Sequence, residues 1–295
     1  AEAFNGRNHK QVDDNIDFSL MFRFEPSTEE TIEFGYARKS RSPNLYERYS
    51  WGRNTMAMTM IGWYGDGNGY VGDIDLDPEI AHTLSASYTK RSPDDSWEFT
   101  INPYYTYVDD FIDATQIGSF HPRMVMSVTR PLLQFTNIDA EFYGLDLNGS
   151  RSLWNSSAWG SGIMRGQIAY TRGKRKDGPE DLYHIMPLNV KIALEQILGQ
   201  WTNTLELEWA DHKDQVDQIR LENDTAKYTL LNAFTEYRWN STTINFGVRN
   251  LLDESYDLPL GGVSIAQWRD EGMVGQFESL AGPGRSVELG VRYQF

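Results

Sequence analysis

Long runs of strict two-residue alternation constrain this chain more than any other feature. Ile16, Phe18, Leu20, Phe22 and Phe24 share one face, with Asp17, Ser19, Met21, Arg23 and Glu25 on the other. Trp97, Phe99, Ile101, Pro103, Tyr105 and Tyr107 alternate with Glu98, Thr100, Asn102, Tyr104 and Thr106. Leu188, Val190, Ile192 and Leu194 repeat the pattern, as do Val287, Leu289, Val291, Tyr293 and Phe295 at the end of the chain. A period of two is the mark of a β-strand. A strand in a sandwich keeps it for about five or six residues. Several runs here reach about ten, the length a tilted strand needs to cross a bilayer. Their polar faces carry charges, as the wall of a water-filled lumen does. The fold class this implies is all-β, a transmembrane antiparallel β-barrel. Val287, Leu289, Val291 and Tyr293 are expected to face lipid, with Glu288 and Arg292 inside.

About eleven strands are predicted, roughly at 16–25, 31–40, 82–91, 97–108, 133–151, 161–172, 186–197, 200–211, 227–238, 241–251 and 284–295. Short connections alternate with long ones at 41–81, 109–132, 173–185, 212–226 and 252–283. Short turns on one side and long loops on the other are the outer-membrane pattern. If Phe295 is periplasmic, every long loop faces outward. Eleven is half of 22, the strand count of plugged outer-membrane transporters. Residues 1–295 are therefore expected to be the C-terminal half of a barrel, with the plug and the N-terminal strands upstream of an internal cut at Ala1.

Composition narrows the alternatives. The chain has 295 residues, 40% of them hydrophobic and 13% aromatic, and a net charge of −15. No run approaches the roughly 18 apolar residues of a membrane helix; a barrel needs none, because only alternate residues meet lipid. A soluble acidic all-β protein is the competing reading that composition leaves open. The charge argues against nucleic acid as a partner and suits attraction of cations. The absence of cysteine removes disulfides and thiolate metal sites.

Several segments resemble the C-terminal barrel of TonB-dependent receptors. Tyr36-Ala-Arg-Lys-Ser-Arg-Ser-Pro-Asn-Leu-Tyr-Glu-Arg-Tyr49 is similar to their Arg-x-Pro-x-Leu-x-Glu segment, and Leu76-Asp-Pro-Glu79 to their Leu-x-Pro-Glu junction. Asn137-Ile-Asp-Ala-Glu-Phe-Tyr-Gly144 resembles the opening of a descending strand. Val248-Arg-Asn-Leu-Leu-Asp-Glu-Ser-Tyr256 resembles Val-x-Asn-Leu-Phe-Asp-x-x-Tyr, with Leu252 where the family has Phe. The resemblance implies a receptor in the outer-membrane lipid of a Gram-negative cell. It implies ligand capture by outer loops and import powered by the TonB complex through the missing N-terminal part. It also implies that the terminal Phe295 is read by the barrel-assembly machinery. No cofactor is required, and an iron chelate or copper would be transported ligand.

The candidate site residues lie in the long loops. Met56, Met58 and Met60 alternate, so an extended backbone puts three thioethers on one face. Met124 and Met126 repeat the spacing near His121. Thioethers favour Cu(I), and the family includes copper receptors. Equally, methionines make an adaptable apolar surface. Arg41, Arg48 and Arg53 could grip an anionic siderophore carboxylate, or pair with nearby acids such as Glu47. Asp66 and Asn68 open a glycine-rich stretch like a calcium loop, but Val71 stands where that loop needs Gly and no Glu closes it. Asp73, Asp75 and Asp77 could hold a cation along one edge. No Gly-x-Ser-x-Gly elbow or phosphate loop occurs. The leading reading is thus an energised receptor for a scarce metal or its chelate, not an enzyme; a passive porin-like channel is the alternative.

Overall fold

The structure, a computed structural model, describes residues 5–50, 62–178 and 181–295. Eleven antiparallel strands pair in sequence order: β1 (Phe18–Ser27), β2 (Glu30–Arg41), β4 (Glu79–Arg91), β5 (Trp97–Phe120), β6 (Arg130–Ser156), β7 (Gly160–Arg175), β8 (Asn189–Leu198), β9 (Trp201–Ala210), β10 (Tyr228–Trp239), β11 (Thr242–Arg249) and β12 (Ser286–Tyr293). A twelfth, β3 (Gly69–Val71), lies off this path and pairs parallel with β6. Eleven predicted strands thus correspond to eleven observed in the meander. Among the described residues the sheet does not close on itself, and its path ends on β1 and β12.

The short connections require tight reversals. Gly199 (φ 60°) and Asn240 (φ 52°) supply the positive φ that two-residue hairpin turns need. With the turns fixed, the register aligns apolar residues across the whole sheet. Phe24, Ile32, Tyr88, Ile101, Leu147, Ile168, Val190 and Trp209 are direct partners from one strand to the next, a row spanning eight strands. A slip of one residue would move that row to the other face. On β12, Val287, Leu289 and Val291 pair with Val248, Phe246 and Ile244. Their side chains are about two-thirds or more exposed, as a lipid-facing belt must be in the absence of lipid. Glu288 lies on the opposite face, 3.5 Å from Arg249.

That opposite face is polar and cross-paired. Arg165 meets Glu195 at 3.1 Å, and Lys191 lies 3.5 Å from Glu206 and 3.4 Å from Glu208. Asn232 donates to both Glu206 and Glu208. Among the described residues, therefore, no buried apolar cluster lies within the membrane sheet. The buried apolar clusters sit beyond it, at the long-loop end. One is Tyr70, Leu76, Ile112, Ala114, Leu133 and Phe135; the other is Val128, Trp268 and Phe277.

The predicted loop 109–132 is the main departure. β5 continues to Phe120 and β6 starts at Arg130, so a projecting hairpin replaces most of that loop. β7 covers the β6 edge only as far as Ala140, and β3 takes over part of the remainder at Leu132–Gln134. Register shifts at Val108/Phe111 and Gln116/Gly118 break the parity of the sequence there. Away from lipid, moreover, the hairpin has no single apolar face, and Ile112, Asp113 and Ala114 are all buried in succession.

Candidate functional site

At the long-loop end the connections fold into one packed layer centred on Arg220. Its guanidinium lies in a cage of three rings, 5.5 Å from the centroid of Tyr64, 5.9 Å from Tyr70 and 5.5 Å from Tyr183. It donates to the Tyr70 hydroxyl at 3.1 Å, to Asp217 at 2.6 Å and to Asp113 at 2.5 Å. Arg175, at the end of β7, reaches the same two carboxylates and also donates to the Asp181 carbonyl at 2.6 Å. Two arginines and two aspartates thus alternate around a closed circuit, each 5% exposed or less. Burial opposes the charge on Arg220, but Tyr70, Asp113 and Asp217 raise its pKa well above the ordinary range. Charges this deep persist only when paired and hydrogen-bonded. Burial pushes the Tyr64 hydroxyl up to about 12.

Two further networks extend the layer. Lys213 is buried, bridges Glu222 and donates to the Pro259 carbonyl at 2.8 Å. The other Glu222 oxygen accepts from the Asp217 amide at 2.9 Å. Arg130 donates to Asn68 at 3.0 Å and to the Asp66 carbonyl at 2.6 Å, with its guanidinium 5.1 Å from the Phe277 ring centroid. Gly67 has φ 71°, and a Cβ there would stand 2.4 Å from the Phe277 ring. Glycine at that point is what lets loop 250–285 close onto residues 65–68.

Several predicted site residues turn out to be members of this scaffold. Asp66 and Asn68 are 3% and 1% exposed. Asp66 accepts from the Asn68 amide and side chain, both at 3.0 Å, and from the Tyr70 hydroxyl. Neither presents a free oxygen to a ligand at the surface, because the layer has used both. Arg41 is held by Glu47 at 2.9 Å and Glu79 at 2.7 Å, and Arg48 grips Asp13 with both terminal nitrogens. Both arginines thus meet acids of the chain itself. Arg7 occupies the acidic edge, bonded to Asp73 and Asp75. Among the described residues no group of three His, Asp or Glu side chains is placed to hold a metal ion. Arg53, Met56, Met58 and Met60 lie outside the described residues. Near the tip of the β5–β6 hairpin, Met124 and Met126 are 83% and 75% exposed, while His121 Nδ1 is 2.9 Å from the Val128 carbonyl.

Asp113, Arg175, Asp217 and Arg220, which organise the rim, escaped the sequence reading. No short motif marks them. The only local signal is Asp217 three residues before Arg220.

The family model described as "TonB dependent receptor-like, beta-barrel" matches residues 3–251. The chain belongs to the TonB-dependent receptor family. Such barrels are Gram-negative outer-membrane proteins, and the apolar belt and long-loop rim of this receptor barrel take their orientation from that. Among solved structures it is similar to the copper transporter OprC, with 20% identity, a TM-score of 0.75 and coverage of 94% of this chain but 39% of that one. It is also similar to the FrpB iron transporter from Neisseria meningitidis, at 13% identity and TM-score 0.63, covering 95% of this chain and 39% of that one. The ferric enterobactin receptor PfeA from Pseudomonas aeruginosa shares 15% identity at TM-score 0.65, with 95% and 40% coverage. This receptor chain thus spans about two-fifths of the length of those structures. No curated protein sequence matches it.

A pH response of the rim follows from His184. Its ring stacks on Tyr183, with centroids 3.8 Å apart. Burial, then the charges of Lys213 and Arg220, lower its pKa from 6.5 to about 4. Between those values an opened loop binds a proton that the closed loop refuses. Closure is therefore at full strength above pH 6.5 and weakens as pH falls towards about 4. Hydrogen exchange of residues 181–188 is expected to speed up over that window relative to His184→Asn, which tolerates the local φ of 61° and does not titrate. Parallel pH profiles for the two proteins would remove His184 from this role.

Proposed function

We propose that this chain is the C-terminal part of a receptor that captures a scarce metal or metal chelate at its outer rim and imports it with energy delivered through TonB. The observation that carries this reading is the buried Asp113–Arg175–Asp217–Arg220 circuit. It binds the outer ends of β5 and β7 and the loop 211–227 into a single rigid layer, and Arg220's ring cage adds residues 64–70 and 183. A passive channel needs a clear mouth, whereas a receptor needs a preorganised one. The exposed edges of β1 and β12 also support a larger barrel, because long unpaired strand edges invite aggregation. The upstream strands and a plug would complete it. Phe295, fully exposed at the chain end, is free to engage the barrel-assembly machinery.

The related structures include a copper transporter and receptors for iron chelates, so the fold leaves the cargo open. Within this chain the exposed thioethers of Met124 and Met126 favour a soft cation such as Cu(I), while Arg41 and Arg48 are already engaged by carboxylates. The deciding comparison replaces Met56, Met58, Met60, Met124 and Met126 with leucine, which keeps apolar volume and removes sulfur. Cells carrying the full-length variant are expected to lose high-affinity copper accumulation while assembling a normal barrel. Full retention of copper uptake would reject thioether ligation. Retained uptake of a ferric chelate, with none of copper in either protein, would assign the chelate as cargo.

A further inference from the structure

Gly149 on β6 and Gly166 on β7 are direct register partners on the lipid-facing side of the sheet. They lie in one row with Phe99 and Ile192. Neither has a positive φ, so the backbone does not demand glycine at either place. Nor does packing demand it. A Cβ at Gly166 would meet nothing within 4 Å, and one at Gly149 would make only ordinary contacts at 3.4 and 3.7 Å. Glycine inside a strand weakens it and often marks close approach of a ligand. The pair leaves a notch in the apolar belt, part of a groove of about 550 Å3 that Phe99, Ile101, Met164, Ile168 and Ile192 help to line.

One end of the groove is charged. Arg151 lines it, directly partnered by Trp97 on one side and Met164 on the other. These three occupy the row next to the glycine pair, on the short-turn side and about 7 Å along the strand. Arg151 is exposed and makes no ion pair or side-chain hydrogen bond among the described residues. Arg165, next to Gly166, instead faces the lumen and is committed to Glu195. An unpaired guanidinium on the lipid face sits favourably only where it meets an anionic headgroup, and tryptophan beside it suits that interfacial depth.

We propose that this groove seats one anionic phospholipid of the periplasmic leaflet, with an acyl chain over Gly149 and Gly166 and the phosphate on Arg151. Lipid tails are as apolar as the strands, so hydrophobicity alone gives no preference for the seat. The preference comes from shape at the glycine notch and from charge at Arg151.

The test uses the full-length receptor in mild detergent, titrated with phosphatidylglycerol or with zwitterionic phosphatidylcholine and read by native mass spectrometry. One phosphatidylglycerol per barrel is expected to survive transfer. Occupancy should drop about fivefold with phosphatidylcholine or in Arg151→Gln, and similarly in Gly166→Leu, which fills the notch. Gly149→Leu probes the same groove from the opposite strand should Gly166→Leu assemble poorly. The heat-dependent gel shift of the barrel reports that each variant is folded. Undiminished phosphatidylglycerol binding in folded leucine variants, or equal binding of both lipids, overturns the proposal. A receptor dimer that Gly166→Leu dissolves would give the groove to a second copy instead, and overturns it as well.

Discussion

Replacing Arg220 with methionine is expected to release the outer loop layer while leaving the membrane strands paired. The substitution keeps an apolar stem among Tyr64, Tyr70 and Tyr183 but removes the guanidinium. Asp113 and Asp217 would then share Arg175 alone, at 3% and 0% exposure. Removing one partner from a buried ion network costs about 3–5 kcal/mol, because the remaining charge is left uncompensated. The strands do not depend on that circuit, since their stability comes from their own ladders and from lipid. The loss should therefore appear as local opening, with hydrogen exchange in residues 62–78, 181–188 and 211–227 accelerated more than about a hundredfold. Arg220→Lys should fall between, since an ammonium keeps the charge but cannot fork to two carboxylates. A normal gel shift with unchanged loop exchange in Arg220→Met would show that the ring cage, and not the charge circuit, holds the rim.

The second large effect concerns energy. In cells lacking TonB, accumulation of the cargo through the full-length receptor should fall to background while surface binding persists. On the proposed reading, capture would depend on the loop rim, which needs no energy input. Passage would then depend on displacing whatever fills a lumen whose wall is charged and cross-paired, as Arg165–Glu195 and Lys191–Glu206 are. Binding and uptake assayed on the same cells separate the two steps. Uptake undiminished without TonB would favour the passive channel, and loss of surface binding as well would mean that the rim does not assemble without it.

The strands were legible from sequence because lipid imposes one simple rule on each of them. Phe18 to Phe24, Trp97 to Tyr107 and Val287 to Tyr293 had to alternate, and they could be read singly. The hairpin beyond Val108 was not legible, because two bulges and burial on both sides removed the alternation. Asp66 and Asn68 stood out in the sequence as candidate ligand-binding residues, and in the fold they bind Tyr70, Arg130 and the Arg220 carbonyl. Arg41 and Arg48 were recognisable as charged loop residues, but which acids of the chain they meet was set by proximity in space. Met124 and Met126 were placed in an outer connection and are exposed there.

Sequence by itself determined the class of solvent around each strand, the number of strands in the meander and which face meets lipid. Those properties follow from side-chain period and turn chemistry, which act over a few residues. Only the tertiary structure decided the rim. Arg175 meets Asp113 across 62 residues of sequence, Arg220 meets Asp113 across 107, and Asn68 reaches the Arg220 carbonyl across 152. A buried charge accepts any opposite charge that arrives with the right geometry. The identity of that partner is therefore set by where the loops converge, which no local period encodes.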